Sequence, residues 1–560
     1  MLRCGLGIVD FREIREEGFV YIDKTDCISM LVGDSYQKVS LITRPRRFGK
    51  TLTMSMFSEF FDIRKNSFDI FDGLKITKDI DLCEKWMNKY PVIALSLKKI
   101  MTNDFRSSIS MFSDIIHTLC VEHSYLICSD KVDLGDKKIL QKFSIQEASD
   151  TDLYNSIEIF SRSLESYWNK KVIILIDEYD VPLNYAWHHG YYTEMVDFIR
   201  CVFGAAFKDN RYLKFAVLTG CLRIAKESIF TGVNNFRCYP ISQKQYSDSF
   251  GFTGVEVDSL LENTPFRNKR KEIADWYDGY HFGENTDIYC PWDVLNFLMD
   301  LNYDPDATPK PYWINTSSND IIKDFIEFSN FSIKEKIETL LEGGFVKTSI
   351  IEDITYDNIY TSEEHFWSVL YATGYLTKVK TGFDINSIEK TLRIPNREIL
   401  SVFNNEAKNW LAKVVRKNTV RTFFLNFWNG NAEEVASYLS RLLLHTISFY
   451  DYHENFYHAF LLGLFARDEY IVRSNQESGE GRPDIIVRDV LHNRCAVIEV
   501  KWEKTASASL AVRANAALEQ IRQKHYLASL DDTTNDAVHC WGLAFTKKKC
   551  QAAYALWKTI

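Results

Sequence analysis

One segment, Lys38 to Asp62, limits the fold of this chain more than any other. Its first part, KVSLIT (38–43), is a short β-branched run that predicts a buried strand. Its last part, KTLTMSMFSEFFD (50–62), carries apolar residues at helical spacing. The loop between them ends in Gly-Lys-Thr (49–51), and strand, loop and helix in this order are the context of a phosphate-binding loop. The sequence therefore predicts an α/β domain built on a parallel sheet, like that of P-loop NTPases.

The three residues at the end of this loop have distinct expected roles. Gly49 lets the backbone approach a phosphate, Lys50 reaches the β- and γ-phosphates, and Thr51 binds Mg²⁺. The loop lacks its usual opening glycine, because the position five residues before Gly49 holds Arg44. Since Gly-Lys-Thr recurs by chance, a basic turn without a nucleotide is the alternative.

A second segment, KKVIILIDEYD (170–180), favours nucleotide binding. Its five consecutive apolar residues, 172–176, indicate a strand that is covered on both faces. Asp177 and Glu178 follow at the end where open α/β sheets bind ligands. Asp177 is expected to hold Mg²⁺, directly or through water, and Glu178 to activate the attacking water. The alternative is a strand that ends in a solvated acidic turn.

A third apolar run, YLKFAVLTG (212–220), predicts another strand of the same sheet. Thr219 at its tip is expected to orient the attacking water. Arg223, just beyond, is expected to stabilise charge on the γ-phosphate. A capping threonine and a surface arginine are the alternative.

The C-terminal part of the sequence contains a second group of candidate site residues. GRPDIIVRD (481–489) places Asp484 at the start of a strand, and CAVIEVKW (495–502) places Glu499 and Lys501 within another. Residues i and i+2 of a strand share a face, and a buried carboxylate and lysine must be paired or bound to a metal. Two carboxylates suit Mg²⁺ or Mn²⁺, so Asp484 and Glu499 are expected ligands. Lys501 would then position or help deprotonate the attacking water.

Two helices flank these strands in the sequence. Glu454 begins the first, ENFYHAFLLGLFA, and is expected to add a carboxylate to the metal through water. The second, within 510–530, carries Gln520, Gln523 and Tyr526. Helix, three strands, helix and strand is the order of the PD-(D/E)XK nuclease core. A β-hairpin with a surface Asp and an exposed Glu/Lys pair is the alternative, but CAVIEVKW is too apolar for a solvent-exposed edge.

These motifs resemble a known family, the predicted AAA-ATPase-like proteins that carry a C-terminal PD-(D/E)XK module. The shared motifs include LITRPRRFGKT (41–51), LIDEYD (175–180) and LTG…RIAKESIF (218–230). YIDKTD, WYDGYHFG and YWINTSSND extend the resemblance over most of the chain. The resemblance implies ATP and Mg²⁺ at the first site, and Mg²⁺ or Mn²⁺ at the second. It assigns Asp484, Glu499 and Lys501 to the nuclease motif, and less directly Glu454 and Gln520.

The resemblance also implies that the Arg-Pro-Arg-Arg entrance is the usual form of this loop in the family. Arg44, Arg46 and Arg47 would then make charge-assisted contacts to phosphate in place of glycine N–H groups. Contacts to nucleic acid or to a neighbouring subunit are the alternative.

The composition restricts the setting in which this chain works. It is 46% hydrophobic and 26% charged over 560 residues, as in globular proteins. Its net charge of −9 provides no overall basic field, so nucleic acid would have to be bound by local patches. We expect a cytoplasmic protein with reduced thiols: there is no signal-peptide pattern or membrane-spanning run, and the 12 cysteines lack metal-binding spacing.

We divide the chain into a P-loop domain (1–240), a helical lid (241–310), a helical connector that includes a candidate winged helix (311–445) and a nuclease-like domain (446–560). The expected function is ATP binding and hydrolysis coupled to metal-dependent cleavage of nucleic acid, DNA rather than RNA. No membrane partner is expected, and homo-oligomerisation is left open. The alternative is a nucleotide-dependent switch whose PD-(D/E)XK fold binds nucleic acid or a partner without cleaving.

Overall fold

The computed structural model describes most of the chain in two compact units. The first unit comprises Met1–Ser317 and Phe345–Leu400, and the second comprises Ser318–Gly344 and Ser401–Ile560. The described residues are 2–33, 36–223, 229–230, 236–262, 264–313, 331–354, 356–359, 362–379, 389–405, 421–445, 454–465, 470–474, 483–503, 510–524, 526, 538–546 and 549–557. Within these ranges every helix is too short or too polar to cross a bilayer. The domain boundaries at 240, 310 and 445 stay predictions.

The strands of both units are short, and their bounds are as follows. They are β1 Val39–Thr43, β2 Val92–Ser96, β3 Val172–Asp177, β4 Leu213–Gly220, β5 Phe236–Tyr239, β6 Phe252–Thr253, β7 Tyr280–Phe282, β8 Asn285–Tyr289, β9 Val346–Ser349, β10 Thr377–Lys378, β11 Glu389–Arg393, β12 Tyr470–Ser474, β13 Ile485–Asp489, β14 Arg494–Trp502, β15 Val538–Thr546 and β16 Lys549–Trp557.

Helices connect and cover these strands. They are α1 Phe11–Glu16, α2 Asp26–Val32, α3 Lys50–Phe61, α4 Phe68–Phe71, α5 Ile80–Trp86, α6 Phe105–Glu122, α7 Tyr125–Cys128, α8 Leu134–Ser144, α9 Asp150–Tyr154, α10 Ser156–Trp168, α11 Val181–His189, α12 Tyr192–Phe207, α13 Gly254–Glu262, α14 Arg270–Tyr277, α15 Pro291–Tyr303, α16 Phe331–Leu341, α17 Glu363–Thr373, α18 Arg421–Trp428, α19 Ala432–His445, α20 Glu454–Phe465 and α21 Leu510–Gln523.

The first unit is built on a five-stranded parallel sheet with the order β2-β3-β4-β1-β5. All residues of β1 and β3 are buried, because helices cover both faces of such a sheet. The predicted α/β fold and parallel sheet are therefore confirmed. Strand β4 lies between β1 and β3, so the carboxyl ends of these three strands are neighbours. This order brings the loop after β1 close to Thr219 and Asp177.

The sequence predicted that the segment 241–310 is a helical lid, but the structure shows that it is not purely helical. Besides α13, α14 and α15 it contains an antiparallel sheet with the order β6-β8-β7. Strand β6 has 2 residues, β7 has 3 and β8 has 5, too few to show a clear alternating pattern in the sequence.

The later part of the first unit carries a second small sheet, β10-β11-β9, with antiparallel pairing. In this region helix α17 is followed closely by strand β10. The winged-helix interpretation of this region stays a prediction.

The second unit is built on the sheet β12-β13-β14-β15-β16, in which only the β14–β15 pair is parallel. Helix α21 connects these two parallel strands and packs on β15, where a Cβ on Gly542 would overlap the carbonyl oxygen of Ala514. The predicted order of helix, three strands, helix and strand is confirmed. Strand β16 follows it and was not predicted.

Candidate nucleotide and nuclease sites

Lys50 lies at the centre of the phosphate loop. Its side chain is only 3% exposed, and its Nζ donates to the carbonyl oxygens of Arg44 and Pro45, each at 3.1 Å. Glu178 Oε1 lies 3.6 Å from the same nitrogen. Burial works against the charge of Lys50, but the surrounding acidic groups outweigh burial and raise its pKa. The loop therefore holds a permanent cation, as a phosphate site requires.

Gly49 supplies the backbone conformation that leads from the loop into α3. It is the N-cap of the helix, with a left-handed φ of +88° that glycine adopts without strain. Helix α3 begins at Lys50, so the unpaired N–H groups of its first turn directly follow the loop. A helix N-terminus in this position attracts anions.

Asp177 joins the phosphate loop to the end of β4. Its Oδ2 accepts a hydrogen bond from Thr51 Oγ1 at 2.8 Å, and its Oδ1 accepts one from Thr219 Oγ1 at 2.5 Å. Burial, with the nearby charge of Glu178, raises the pKa of Asp177. The structure thus brings three predicted site residues together, and a carboxylate beside a hydroxyl is a donor set that suits Mg²⁺.

Glu178 has a strained backbone and a charged partner. Its φ is +54°, in the left-handed region that non-glycine residues rarely occupy. Such strain is frequent at functional sites. Its carboxylate lies 3.6 Å from Lys50 Nζ and its side chain is partly exposed, so this predicted base lies against the phosphate loop.

Arg44 does not serve the phosphates, and that hypothesis is wrong. Its side chain is fully buried and donates to the carbonyl oxygens of Thr43 at 2.7 Å, Tyr239 at 2.9 Å and Tyr246 at 2.7 Å. Burial lowers its pKa to about 10. The reason is positional: Arg44 directly follows β1, so its side chain enters the space beside β5 and joins three backbone segments.

The other two loop arginines have different surroundings. The guanidinium of Arg47 lies 4.1 Å above the ring of Trp292 on α15. Burial opposes the charge of Arg46, but nearby groups, among them Glu178 and Asp180, raise its pKa. The charge of Arg46 therefore lies in the field of the nucleotide-site acids Glu178 and Asp180. The role of both residues at a phosphate stays a prediction.

Arg223 is engaged by the segment that follows β9. Its Nε lies 2.9 Å from Asp353 Oδ1, and its Nη1 lies 3.5 Å from Glu352 Oε2. Two carboxylates are thus ion-paired with its guanidinium. A role at the γ-phosphate stays a prediction and would require exchange of these ion pairs.

Asp180 belongs to the site but was not singled out in the sequence. Its Oδ2 accepts from the backbone N–H groups of Cys221 at 2.8 Å and Leu222 at 3.0 Å. Burial, with the charge of Glu178, raises its pKa to about 6. Gly220 permits this contact, since a Cβ there would lie 2.7 Å from Asp180 Oδ1. The signal was the third acidic residue of the IDEYD segment.

The contrast between Arg44 and Arg46 yields a first prediction. Arg44→Met leaves three buried carbonyl groups without a donor and should lower the free energy of unfolding by about 3 kcal/mol. Arg46→Met should leave stability nearly unchanged and weaken ATP binding. Thermal unfolding and ATP titration of both variants check this. Equal stability of the two variants would show that the burial of Arg44 has been misassigned.

Asp484 stands at the point where β13 begins. Strand β13 starts at Ile485 opposite Ile498 of β14, so Val500 lies beyond the last paired residues. The N–H of Val500 donates instead to Asp484 Oδ2 at 2.7 Å. Burial raises the pKa of Asp484, and the Val500 N–H and Lys501 oppose this shift. The side chain thereby remains beside β14, next to the predicted metal ligand Glu499.

Glu499 is buried in the middle of the sheet. Its side chain is 3% exposed, and its pKa is raised to about 7 by burial and by the charge of Asp484. Its Oε1 accepts from Lys501 Nζ at 3.0 Å and from Gln520 Nε2. The predicted shared face of Glu499 and Lys501 is thus confirmed, and the structure brings Asp484, Glu499, Lys501 and Gln520 together.

The donor set of this cluster fits a hard divalent cation. The buried Oε2 of Glu499 has no hydrogen-bond partner within the described part of the chain, so a ligand-binding oxygen remains available. Groups of three or more His, Cys, Asp or Glu that could hold a metal do not occur among the described residues. Two carboxylates with water ligands are the usual arrangement for Mg²⁺. Glu454, the third predicted carboxylate, begins α20, but its side chain lies outside what the structure describes.

Two more side chains contact the cluster. His458 on α20 has its Nε2 2.8 Å from the carbonyl oxygen of Asp484 and 3.1 Å from Ser474 Oγ. The hydroxyl of the buried Tyr526 accepts a hydrogen bond from Gln520 Nε2 at 3.4 Å. His458 was not selected from the sequence, where its one distinguishing feature is its place one helical turn after Glu454.

The raised pKa of Glu499 predicts a pH effect on stability. A carboxyl group whose pKa rises from 4.5 to about 7 on folding contributes stability that is present below pH 4.5 and is lost as the pH rises through 7. Glu499→Gln should therefore stabilise the metal-free protein by about 2–3 kcal/mol at pH 8 and by little at pH 4.5. Denaturant unfolding at both pH values checks this.

The matched control is Glu503→Gln, which removes a carboxylate paired with Arg513 near the surface. This variant should not produce the same pH trend. Mn²⁺ should stabilise the wild-type protein at pH 8 but not Glu499→Gln. A stabilisation of Glu499→Gln that is equal at both pH values would contradict the assigned burial of the charge.

Comparison with known proteins finds a match for each of the two segments that carry these residues. Residues 5–230 match the family described as "Predicted AAA-ATPase", and residues 452–554 match the "PD-(D/E)XK nuclease superfamily". The chain is also 23% identical over 403 residues to the "Uncharacterized protein in vnfD 5'region" of Azotobacter chroococcum mcd 1. That alignment covers 71% of this chain and 68% of the other protein. No solved structure matches the chain at a significant level. The chain is therefore similar to a predicted AAA-ATPase domain in its N-terminal part and to a PD-(D/E)XK nuclease superfamily domain in its C-terminal part.

Proposed function

We propose that this protein binds and hydrolyses ATP and that it cleaves nucleic acid with a divalent metal. The observation that carries the proposal is the cluster of Asp484, Lys501 and the buried Glu499, in which one carboxylate oxygen of Glu499 has no hydrogen-bond partner among the described residues. Burial of such a carboxylate lowers the free energy of unfolding unless a cation binds it.

At the nucleotide site the residues divide the work among themselves. Lys50 and Arg46 bind phosphate charge, and Thr51 and Asp177 hold Mg²⁺. Thr219, which donates to Asp177, orients the attacking water. Glu178 accepts the proton of that water once Lys50 has left Glu178 and contacts the phosphate instead.

At the nuclease site Asp484 and Glu499 would hold Mg²⁺ or Mn²⁺, with Glu454 as a further candidate. The metal, when bound, supplies a more acidic water and stabilises charge on the phosphate. Lys501 lies 3.0 Å from Glu499 and positions the attacking water. Gln520 fixes the orientation of the Glu499 carboxylate by donating to the same oxygen as Lys501.

We further propose a cytoplasmic protein with DNA rather than RNA as substrate. Self-association is left open. The test is incubation of the full-length protein with single- and double-stranded DNA and RNA, in Mg²⁺ or Mn²⁺, with and without ATP. Metal-dependent cleavage that Asp484→Asn loses supports the proposal. Metal-independent cleavage, or cleavage equal in the variant, would point to a contaminating nuclease.

A second candidate is a nucleotide-dependent switch that binds nucleic acid without cleaving it. The ion pair between Glu178 and Lys50 favours it, because the carboxylate of the predicted base is already paired with a cation. ATP-dependent binding of nucleic acid without cleavage, together with ATP binding without turnover, would support this candidate over the first.

A further inference from the structure

The indole of Trp313 contacts the phosphate loop directly. Its Nε1–H donates to the carbonyl oxygen of Arg46 at 3.3 Å. The side chain is buried, and its ring meets that of Tyr375 edge to face, with centroids 4.9 Å apart. Directly before Tyr375, Gly374 is so close to Pro45 that a Cβ would lie 2.9 Å from the Pro45 Cβ. The loop therefore rests on residues that follow it by more than 260 positions.

Glu398 holds Trp313 in this position. Its Oε1 accepts the backbone N–H of Trp313 at 2.7 Å. Glu398 is buried beside Asp293, and burial together with the charge of Asp293 raises the pKa of Glu398 to about 10. Near neutral pH Glu398 is thus a neutral acid. Arg47, the next loop residue, lies in the electrostatic field of Asp293.

Three consecutive carbonyl groups of the loop accept hydrogen bonds from two side chains. Those of Arg44 and Pro45 accept from Lys50 Nζ, and that of Arg46 accepts from the indole of Trp313. A triphosphate that binds Lys50 competes for the same ammonium hydrogens. The three carbonyls belong to consecutive peptide units, so the part of the loop that Lys50 holds is directly continuous with the part that Trp313 holds. Release of the first part by a phosphate is thus a change next to the contact of Trp313.

The positions of Trp313 and Glu398 in the chain give this contact a consequence. The first unit is interrupted after Ser317, four positions beyond Trp313, and ends at Leu400, two positions beyond Glu398. Both residues thus precede a point where the chain passes into the unit that carries the PD-(D/E)XK domain. The two are also hydrogen-bonded to each other.

We propose that Trp313 and Glu398 are positioning residues of the phosphate loop, and that through them a nucleoside triphosphate bound at Lys50 regulates the PD-(D/E)XK site. The inference rests on the proposed function. It adds the route by which one site acts on the other.

Hydrogen–deuterium exchange of the full-length protein tests the route without relying on cleavage. In the wild-type protein, ATP with Mg²⁺ should slow exchange in peptides that contain Trp313 and in those that contain Glu398. Trp313→Phe removes the indole donor and keeps an aromatic ring. The slowing of exchange by ATP around Glu398 should therefore be at least about fivefold smaller in this variant, although it still binds ATP. Trp276→Phe, a change in a half-buried tryptophan of α14, should respond like the wild type.

Cleavage supplies the second readout. ATP should change the wild-type cleavage rate, and this ratio should shrink at least about fivefold in Trp313→Phe and Glu398→Ala. Glu398→Gln should preserve it, because glutamine reproduces a neutral acid that accepts the Trp313 N–H. Thermal unfolding identifies variants that fail to fold. If Trp313→Phe or Glu398→Ala does not fold, the cleavage ratio of Glu398→Gln and the exchange of the wild-type protein test the proposal.

The outcomes separate the two proposals. If the wild type binds no ATP, the proposed function fails, and the inference fails with it. If ATP binds but leaves exchange at Trp313 and Glu398 unchanged, or leaves the cleavage rate unchanged, only the inference is overturned. A wild-type response in Trp313→Phe overturns it as well.

Discussion

Asp484→Asn should reduce metal-dependent cleavage by about three orders of magnitude, equivalent to about 4 kcal/mol of transition-state stabilisation. Asparagine keeps the size of the side chain and an oxygen that can accept the Val500 N–H, so the start of β13 should be retained. What it removes is the negative charge that, with Glu499, attracts the metal. Initial cleavage rates in Mn²⁺ and Mg²⁺, with Mn²⁺ affinity measured by titration, check this result.

Lys501→Ala is the matched comparison at the same cluster. It should retain Mn²⁺ binding and lose turnover, because a protonated lysine does not ligate metals but lies beside the carboxylate that does. Nucleic-acid affinity should survive in both variants, since it depends mainly on phosphate contacts elsewhere. If Asp484→Asn cleaves at the wild-type rate, the cleavage comes from another source, such as a contaminating nuclease, and the catalytic assignment of Asp484 fails.

Lys50→Ala should weaken ATP binding at least tenfold, or about 1.4 kcal/mol. The reason is that Lys50 is a buried cation of the loop and has the acidic residues of the site around it. Without it, phosphate charge would approach Glu178 and Asp177 with less compensation. Isothermal titration with ATP measures the loss of affinity. Equal affinity in the wild type and the variant would contradict the assignment of Lys50 to a nucleotide site.

The control for Lys50→Ala is Lys24→Ala, which removes another poorly exposed lysine of the first unit, one that is ion-paired with Glu256 at 2.7 Å. It should cost stability without changing ATP affinity. Glu178→Gln should do the reverse of Lys50→Ala: it removes the partner of Lys50 and the base together, so ATP binding should persist while hydrolysis stops. Hydrolysis that continues in Glu178→Gln would assign the base to another residue.

The main features of the nucleotide site could be predicted because they depend on local pattern. Continuous apolar runs identify β1, β3 and β4 as buried parallel strands, and the ends of such strands meet at one edge of a sheet. This was enough to bring Thr51, Asp177 and Thr219 together.

The destination of Arg44 could not be predicted in this way. Its acceptors on Tyr239 and Tyr246 lie 195 and 202 positions away, so they depend on strand order and on a loop beyond β5. The three-residue strand β7 and its neighbours were missed for a related reason: short strands are fixed by partners rather than by their own sequence.

The nuclease cluster shows the same division. The two-residue period of a strand is sufficient to place Glu499 and Lys501 on one face. The contact of His458 with a backbone carbonyl of Asp484 leaves no such trace, because any residue in position 484 would offer that carbonyl.

The interleaving of the two units has a consequence for synthesis. The chain passes between them after Ser317, Gly344 and Leu400, so the first unit is complete only when about 400 residues have left the ribosome. A nascent chain that ends at Ser317 lacks β9, β10 and β11. It also lacks the acidic partners of Arg223 and the acceptor for the Trp313 N–H. The phosphate loop therefore acquires its final support late in translation, when part of the second unit has already been made.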